Sequence, residues 1–219
     1  MQIGNVRFSQ PLTTLAKVVT ASFFVFVVTP IVEASDRYPT EVEMQQLRSQ
    51  LSRRIQELRS GEFRVYLDDY RTEEERQQYQ AFVNAWSQVD PAVTPFLGMW
   101  VGYEQTVSIY PSDLRGRVCI IGNNEVGFSG FATGEVMNNT QIRTSDREFI
   151  IRSSDYLGIA GIYNGQPFIG DEIPYKNPIV PSLPNRLGSE DPELARQAER
   201  ALQQFKEEGC LASLPTSDR

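Results

Sequence analysis

The segment from Met99 to about Gly170 most constrains the fold, because apolar residues alternate with polar ones in runs of four to eight residues. Successive side chains of a β-strand point to opposite faces of a sheet, so this period of two predicts strands. Asn164-Gly165 is the strongest hairpin signal, since both residues tolerate the positive φ that a type I′ turn requires. Short strands joined by tight turns predict an antiparallel β-meander.

The first strand is predicted to be long and to begin at the Gly98-Met99-Trp100 sequence. The alternation places one set of side chains on one side, namely Val101, Tyr103, Val107 and Ile109. It places the other set on the opposite side, namely Trp100, Thr106, Ser108 and Tyr110. The later strand runs are, in chain order, RVCIIG, VGFSGF, GEVMNN, TQIRT, EFIIR and YLGIAGIY.

The Gly98-Met99-Trp100 sequence, which follows a helical lead-in, resembles the Gly-x-Trp start of lipocalin-like barrels over these three residues. The resemblance implies a barrel that carries a small apolar ligand. Strands of about five residues reach only ~17 Å. A barrel built from such strands would be small and filled by its own side chains. A tryptophan that closes the end of a sheet core is the alternative.

Two helices are predicted before the β segment and one after it. Thr40 and Thr72 are each followed three residues later by glutamate, which is capping-box spacing at a helix start. Asp191-Pro192 begins the third helix, with aspartate as the cap and proline at the first helical position. The apolar stripe of the first helix is Met44, Leu47, Leu51, Ile55 and Leu58. We expect this stripe to pack on the rest of the protein, with a partner helix as the alternative.

Two connecting segments have no helical pattern. The sequence GEFRVYLDDYR, residues 61–71, alternates apolar and polar residues and predicts a short strand or an extended connector. Five prolines between residues 174 and 192 predict an extended strap that runs across the surface, since proline is poorly suited to a sheet interior.

The predicted fold class is therefore α+β. A small antiparallel β-meander, either a curved sheet or a small barrel, is flanked by an N-terminal helical pair and a C-terminal helix. The predicted organisation is a signal peptide over 1–34, a helical segment over 35–95, an antiparallel β domain over 96–173, and a proline-rich strap with the C-terminal helix over 174–219.

The amino terminus predicts export. Arg7 and Lys17 precede an apolar run over 18–32 that is shorter than the roughly 20 residues of a membrane-spanning helix. Val32-Glu33-Ala34 is a small-x-small cleavage signal, so we expect cleavage after Ala34 and no transmembrane anchor afterwards. The predicted location is a periplasm, a lumen or the cell exterior. An uncleaved anchor is the alternative.

The chain has two cysteines, Cys119 and Cys210. In an oxidising compartment an even pair predicts a disulfide, which here would join the last helix to a strand of the sheet. Two separate buried thiols are the alternative.

Composition excludes several kinds of chemistry. The chain has no histidine, which removes the usual general base, the Ser-His and Cys-His pairs and the commonest zinc ligand. A net charge of -7 argues against a nucleic-acid partner, which needs a clustered basic face. No phosphate loop, nucleophile motif or calcium-loop pattern occurs, so we expect no catalytic residue, no cofactor and no metal.

Carboxylate pairs are the remaining catalytic candidates. Asp68-Asp69, Asp171-Glu172 and Glu104 with Asp155 could supply the acid and base of a glycoside hydrolase. Acids in turns are also the ordinary occupants of such positions.

The leading hypothesis is an exported, non-catalytic binding or structural module that acts through a protein partner. A carbohydrate-binding protein or carboxylate-based glycan hydrolase of the cell surface is the alternative, and a small apolar ligand carrier is the third. The possible binding surface consists of aromatic side chains on the strands, namely Trp100, Tyr103, Tyr110, Tyr156 and Tyr163.

Overall fold

The computed structural model describes residues 37–125, 127–170, 173–182 and 191–215. The predicted signal peptide over 1–34 lies outside these residues. The helices are α1 (Glu41–Ser60), α2 (Glu73–Ser87) and α3 (Pro192–Glu207), with a 3-10 helix at Glu62–Leu67. The strands are β1 (Gly98–Val101), β2 (Gln105–Pro111), β3 (Arg117–Asn124), β4 (Gly127–Asn138), β5 (Gln141–Thr144), β6 (Phe149–Ser153), β7 (Tyr156–Tyr163), β8 (Gln166–Ile169) and β9 (Lys176–Ile179).

The predicted α+β meander is confirmed. The nine strands form one antiparallel sheet in the order β8-β7-β6-β5-β4-β3-β2-β1-β9, and the sheet curls into a half-barrel. Thr40 and Thr72 form the predicted capping boxes, and Asp191 caps α3 ahead of Pro192. Asn164 and Gly165 both have positive φ, at 48° and 76°, as the hairpin signal requires.

The predicted long first strand is wrong, because the chain reverses between β1 and β2. Glu104 adopts a left-handed φ of 58°, and the Gly102 amide donates to the Gln105 carbonyl at 2.9 Å across this turn. The reversal places Trp100 directly opposite Val107, so both side chains share a face. A single continuous strand would have placed them on opposite faces.

Residues 61–71 are also different from the prediction. They contain a 3-10 helix rather than a strand, with amide-to-carbonyl hydrogen bonds from Arg64 to Gly61 and from Asp68 to Val65. No described strand pairs with this connector. Its carbonyls accept hydrogen bonds from amides three residues later and from side chains, including those of Lys176 and Asn177 at Asp68.

The runs VGFSGF and GEVMNN, predicted as separate strands, form the single strand β4. Gly134 lies inside this strand and does not mark a turn. A Cβ atom at this position would collide with the Ile142 side chain on β5, so the glycine permits close packing between neighbouring strands.

The proline-rich segment contributes to the sheet as well as crossing it. Residues 176–179 form β9, which pairs with β1 at the sheet edge, where the missing amide proton of Pro178 is tolerated. Just before β9, Tyr175 exchanges two backbone hydrogen bonds with Leu157 of β7, at 2.9 and 3.0 Å. The segment therefore links β7 to β1 across the open side of the half-barrel.

Three apolar clusters stabilise this arrangement. The interior cluster fills the concave side with α2, the chain before β1 and inward strand residues, and it includes Phe82, Trp86, Val93, Phe96, Leu97, Trp100, Val107, Ile109, Ile142, Ile150, Leu157 and Tyr175. The α1 cluster comprises Met44, Leu47, Leu51 and Ile55 with Phe149, Ile151, Tyr156 and Ala160. The α3 cluster comprises Ala198, Ala201 and Phe205 with Tyr110, Cys119, Ile121 and Phe128. The α1 and α3 clusters use the outward-facing residues of the sheet, so these two helices cover its convex side.

The predicted disulfide between Cys119 and Cys210 is confirmed, with the two Cα atoms 5.9 Å apart. Cys119 belongs to β3, and Cys210 follows α3 beyond Gly209. The residue after it, Leu211, donates its amide to the Pro111 carbonyl at 2.9 Å, so the chain after α3 is also bound to the end of β2.

Among the residues that the structure describes, none of the helices has the length and apolar character needed to cross a membrane.

Candidate interaction site

The five aromatic residues predicted as a binding surface do not form one exposed face. Trp100 is 2% exposed in the interior cluster, and its indole Nε1 donates to the Phe96 carbonyl at 2.7 Å. Tyr110 is buried in the α3 cluster and Tyr156 in the α1 cluster. These two tyrosines face outward on their strands, as an alternating pattern requires, but helices cover them.

Tyr103 and Tyr163 are the two exposed members of the predicted set, at 48% and 67%. Tyr163 lies at the end of β7, where its ring meets the edge of Phe168 on β8 at a centroid distance of 6.2 Å. Tyr103 lies in the turn between β1 and β2, where it belongs to a larger group of exposed apolar side chains.

We call this group the aromatic patch. It consists of exposed side chains from the 3-10 helix, the chain after it, and the β1–β2 turn, namely Val65, Tyr66, Tyr70, Val101 and Tyr103. Tyr66 and Tyr103 join the two elements through an edge-to-face contact of their rings, with centroids 5.4 Å apart. Edge-to-face pairs of this kind are worth about 0.5–1.5 kcal/mol beyond the area they bury.

Lys176, which is buried, connects Tyr70 of the aromatic patch to β9. The Tyr70 hydroxyl donates to the Val65 carbonyl at 3.1 Å, and the ring is 72% exposed. The Lys176 ammonium lies 5.5 Å from the centre of this ring and donates a hydrogen bond to the Asp68 carbonyl. Burial lowers the pKa of Lys176. Lys176 also lies opposite Val101 in the sheet register, so the patch residues are contiguous.

One edge of the aromatic patch is acidic. A hydrogen bond to the Glu104 carboxylate raises the pKa of the Tyr103 hydroxyl. A hydrogen bond to Glu104 also raises the pKa of Glu125, because two neighbouring carboxylates interact most favourably when one is protonated. Glu104 therefore joins the tip of the β1–β2 turn to the chain after β3.

Arg71 fixes the chain that follows the 3-10 helix. Its guanidinium pairs with the Asp69 carboxylate at 2.8 Å and donates to the Pro178 carbonyl of β9 at 2.9 Å. The hydrogen bond from the Arg71 side chain is the main cause that lowers the pKa of Asp69 from 3.8 to about 2. The position of the patch relative to β9 therefore depends on an ionised Asp69.

An Asp69→Asn variant is expected to be less stable than the wild type at neutral pH, with the difference disappearing in acid. The folded-state pKa is lowered, so the stabilisation is present above about pH 4 and is lost as the pH falls through about 2. Urea unfolding across this range measures the effect. Glu74→Gln is the control, since Glu74 is hydrogen-bonded to Gln78 rather than to an arginine. A difference that stays constant with pH would contradict the expectation.

Of the predicted carboxylate pairs, the structure describes Asp68-Asp69, Glu104 and Asp155. Asp69, with a pKa of about 2, stays ionised and cannot act as a general acid at neutral pH. Glu104 interacts with Tyr103 and Glu125, whereas Asp155 interacts electrostatically with Arg71 and Tyr79, so the two carboxylates have different neighbours. Asp171-Glu172 lies outside the described residues. Within the described ranges, no group of three or more acidic or cysteine side chains could hold a metal ion.

Among the described residues, side chains fill much of the concave side of the half-barrel. Its interior cluster is packed with the protein's own side chains, including Trp86 and Trp100. A cavity of about 220 Å³ lies against Val107, Ile120 and Ile150 on the concave side, below the usual range of about 300–1,000 Å³ for small-molecule pockets. Gly98 also has a local explanation, since its φ is 128° and a Cβ there would collide with Pro178 and Tyr79.

No protein-family model, curated protein or solved structure matches this chain. A function must therefore be inferred from the surfaces of the protein itself.

The sequence pattern identified Tyr103 as a candidate but missed Val65, Tyr66 and Tyr70. A usable signal was present, because residues 65–70 lie between two capped helices and their aromatic side chains match neither helical stripe. In an extended connector successive side chains would point in opposite directions, whereas the 3-10 helix brings Val65 and Tyr66 into the same exposed patch.

Proposed function

We propose that this protein is an exported, non-catalytic binding module that recognises a protein partner through the aromatic patch. The observation that carries the proposal is that three tyrosines and two valines are exposed as one contiguous group. Contiguous exposed apolar groups rimmed by polar residues are typical of interaction sites, and tyrosine is enriched at such sites.

The chemistry at the edge of the aromatic patch indicates the kind of partner. Glu104 and Glu125 are adjacent carboxylates beside the Tyr103 ring, and the chain as a whole has a net charge of -7. A partner segment with an arginine or lysine between apolar residues would satisfy the carboxylates and contact the tyrosine rings by cation–π interaction.

Two further observations support export. The amino-terminal sequence has the order of a signal peptide, and the cysteine pair forms a disulfide. Disulfides form and persist in oxidising compartments such as a periplasm, a secretory lumen or the cell exterior. The partner is therefore expected in the same compartment.

Site-specific photo-crosslinking in the host organism tests the proposal. A benzoylphenylalanine residue at position 70 or 103 is expected to give a discrete adduct of protein size, because both side chains lie in the aromatic patch. Position 163 is the matched control, since Tyr163 lies on a different hairpin and its exposure, 67%, falls between those of Tyr103 and Tyr70. The expected result is an adduct at 70 and 103 and none at 163.

Adducts of equal yield at all three positions, or at none, would contradict the proposal. Soluble-glycan retention provides the comparison with the carbohydrate-binding alternative. Tyr70→Ala and Tyr103→Ala are suitable variants for that experiment, whereas Trp100→Ala would damage the interior cluster. If the wild type binds a glycan and both tyrosine variants lose that binding, the ligand of the aromatic patch is a carbohydrate and not a protein.

A further inference from the structure

We propose that the convex side of the sheet carries a second site, an anion-binding groove that takes a small molecule or headgroup bearing a phosphate group. The groove has a volume of about 650 Å³ and includes Tyr38, Arg115, Arg117, Glu135, Arg143 and Ser145. This volume lies within the range of about 300–1,000 Å³ that is typical of small-molecule sites.

The groove exists because the two convex-side helices leave a strip of the sheet uncovered. α3 packs over residues of β2, β3 and β4, and α1 packs over residues of β6 and β7. Between them, Arg117 of β3 lies opposite Glu135 of β4, which lies opposite Arg143 of β5. With strands about 4.8 Å apart, the two arginines start roughly 10 Å from each other, so their long side chains can converge on one group.

The charge of the groove is opposite to that of the chain. Three arginines and one glutamate line it, although the protein has a net charge of -7. Arg143 is paired with Glu135 at 2.6 Å, while the contact of Arg117 with Glu208 is longer, at 3.5 Å. Arg115 is exposed and has no carboxylate partner among the described residues. The positive charge of the groove is therefore only partly neutralised.

Neighbouring groups hold these donors in place. The Arg143 guanidinium lies 5.8 Å from the centre of the Tyr38 ring, and the Tyr38 hydroxyl donates to the Thr144 carbonyl at 2.7 Å. The Ser145 hydroxyl oxygen accepts a hydrogen bond from the Thr133 amide at 3.1 Å, which leaves its proton to donate to a ligand. Guanidinium forks match the geometry of phosphate oxygens, and fixed forks lose less entropy on binding.

In the free protein the Glu135 carboxylate forms an ion pair with the Arg143 guanidinium. A bound phosphate would compete with this carboxylate for the same donors. Removing the negative charge of Glu135 should therefore strengthen phosphate binding, whereas removing the arginines should weaken it. A purely structural ion pair would not produce changes of opposite sign.

The experiment is calorimetric titration of the purified protein with inorganic phosphate and with phenyl phosphate at constant ionic strength. A second experiment compares the fraction of protein that sediments with anionic phosphatidylglycerol vesicles with the fraction that sediments with neutral phosphatidylcholine vesicles. We expect Arg117→Gln/Arg143→Gln to weaken binding more than tenfold and Glu135→Gln to strengthen it at least threefold. Arg53→Gln/Arg196→Gln is the matched control, since it removes two exposed arginines elsewhere.

The two arms distinguish the source of the phosphate. Binding of the soluble phosphates assigns the groove to a soluble ligand, and binding only to the anionic vesicles assigns it to a lipid headgroup, provided that the groove variants change it as expected. Absence of saturable binding in both arms would overturn the proposal. Equal losses in the groove variant and in the control would also overturn it, because they would indicate a general charge effect.

Discussion

A Leu51→Asp/Ile55→Asp variant is expected to be unfolded at neutral pH. Leu51 and Ile55 lie on the face of α1 that packs against the sheet, and Leu51 is only 1% exposed. The Leu51 methyl groups lie over Gly158 of β7, where a Cβ atom would be 3.1 and 3.3 Å from them. Each aspartate would lose the apolar contacts, which alone are worth about 2–5 kcal/mol, and would bury a carboxylate without a partner. Together these costs approach or exceed the roughly 5–15 kcal/mol that stabilises a domain.

Circular dichroism and urea unfolding measure this outcome. Ser52→Asp is the matched control, since Ser52 is exposed on the same helix and should leave stability almost unchanged. Leu51→Ala provides a graded version, with an expected loss of about 2–5 kcal/mol and a cooperative transition. A folded double variant with near-normal stability would show that α1 is not part of the core and would make its stripe available to a partner helix.

Loss of the disulfide is expected to lower the free energy of unfolding by about 4 kcal/mol. The bond closes a loop between cysteines that are 91 positions apart, and the chain-entropy model gives about 4–5 kcal/mol for a loop of this length. Cys119 is buried in the α3 cluster, so reduction also weakens the attachment of α3 to the sheet. The structure therefore predicts that α3 unfolds more readily once the bond is absent.

Urea unfolding of the oxidised wild type, the reduced wild type and Cys119→Ala/Cys210→Ala tests this expectation. The two forms without the bond should have similar midpoints, both well below that of the oxidised protein. Asp191→Ala, which removes the α3 cap, is the comparison variant with an expected loss of only about 1 kcal/mol. Identical midpoints for oxidised and reduced wild type, with reduction confirmed by mass spectrometry, would contradict the prediction.

Several features could be predicted from the sequence because they depend on neighbouring residues. The helix starts at Thr40, Thr72 and Asp191 follow from side chains that accept hydrogen bonds from amides two or three residues later. The turn at Asn164-Gly165 follows from the freedom of these residues at positive φ.

The candidate sites were less predictable, because they combine residues that are distant in the sequence. The aromatic patch brings Tyr66 and Tyr70 of one connector together with Tyr103 of a turn and Lys176 of β9. No local pattern indicates that these segments meet. The groove likewise depends on α1 and α3 stopping on either side of the strip that contains Glu135.

The α+β class, the helix starts and the hairpin at Asn164-Gly165 could be read from the sequence, because caps, turns and strand alternation are properties of a few consecutive residues. The disulfide was predicted on a different ground, namely an even number of cysteines in an exported chain. Which faces of the strands are covered depends instead on how the helices pack against the sheet. Tyr110 and Tyr156 alternate as exposed residues would, yet they are buried because α3 and α1 pack over them. Trp100 shares a face with Val107 because the chain reverses at Glu104. Burial depends on the elements that pack against a residue, and those elements lie far from it along the chain.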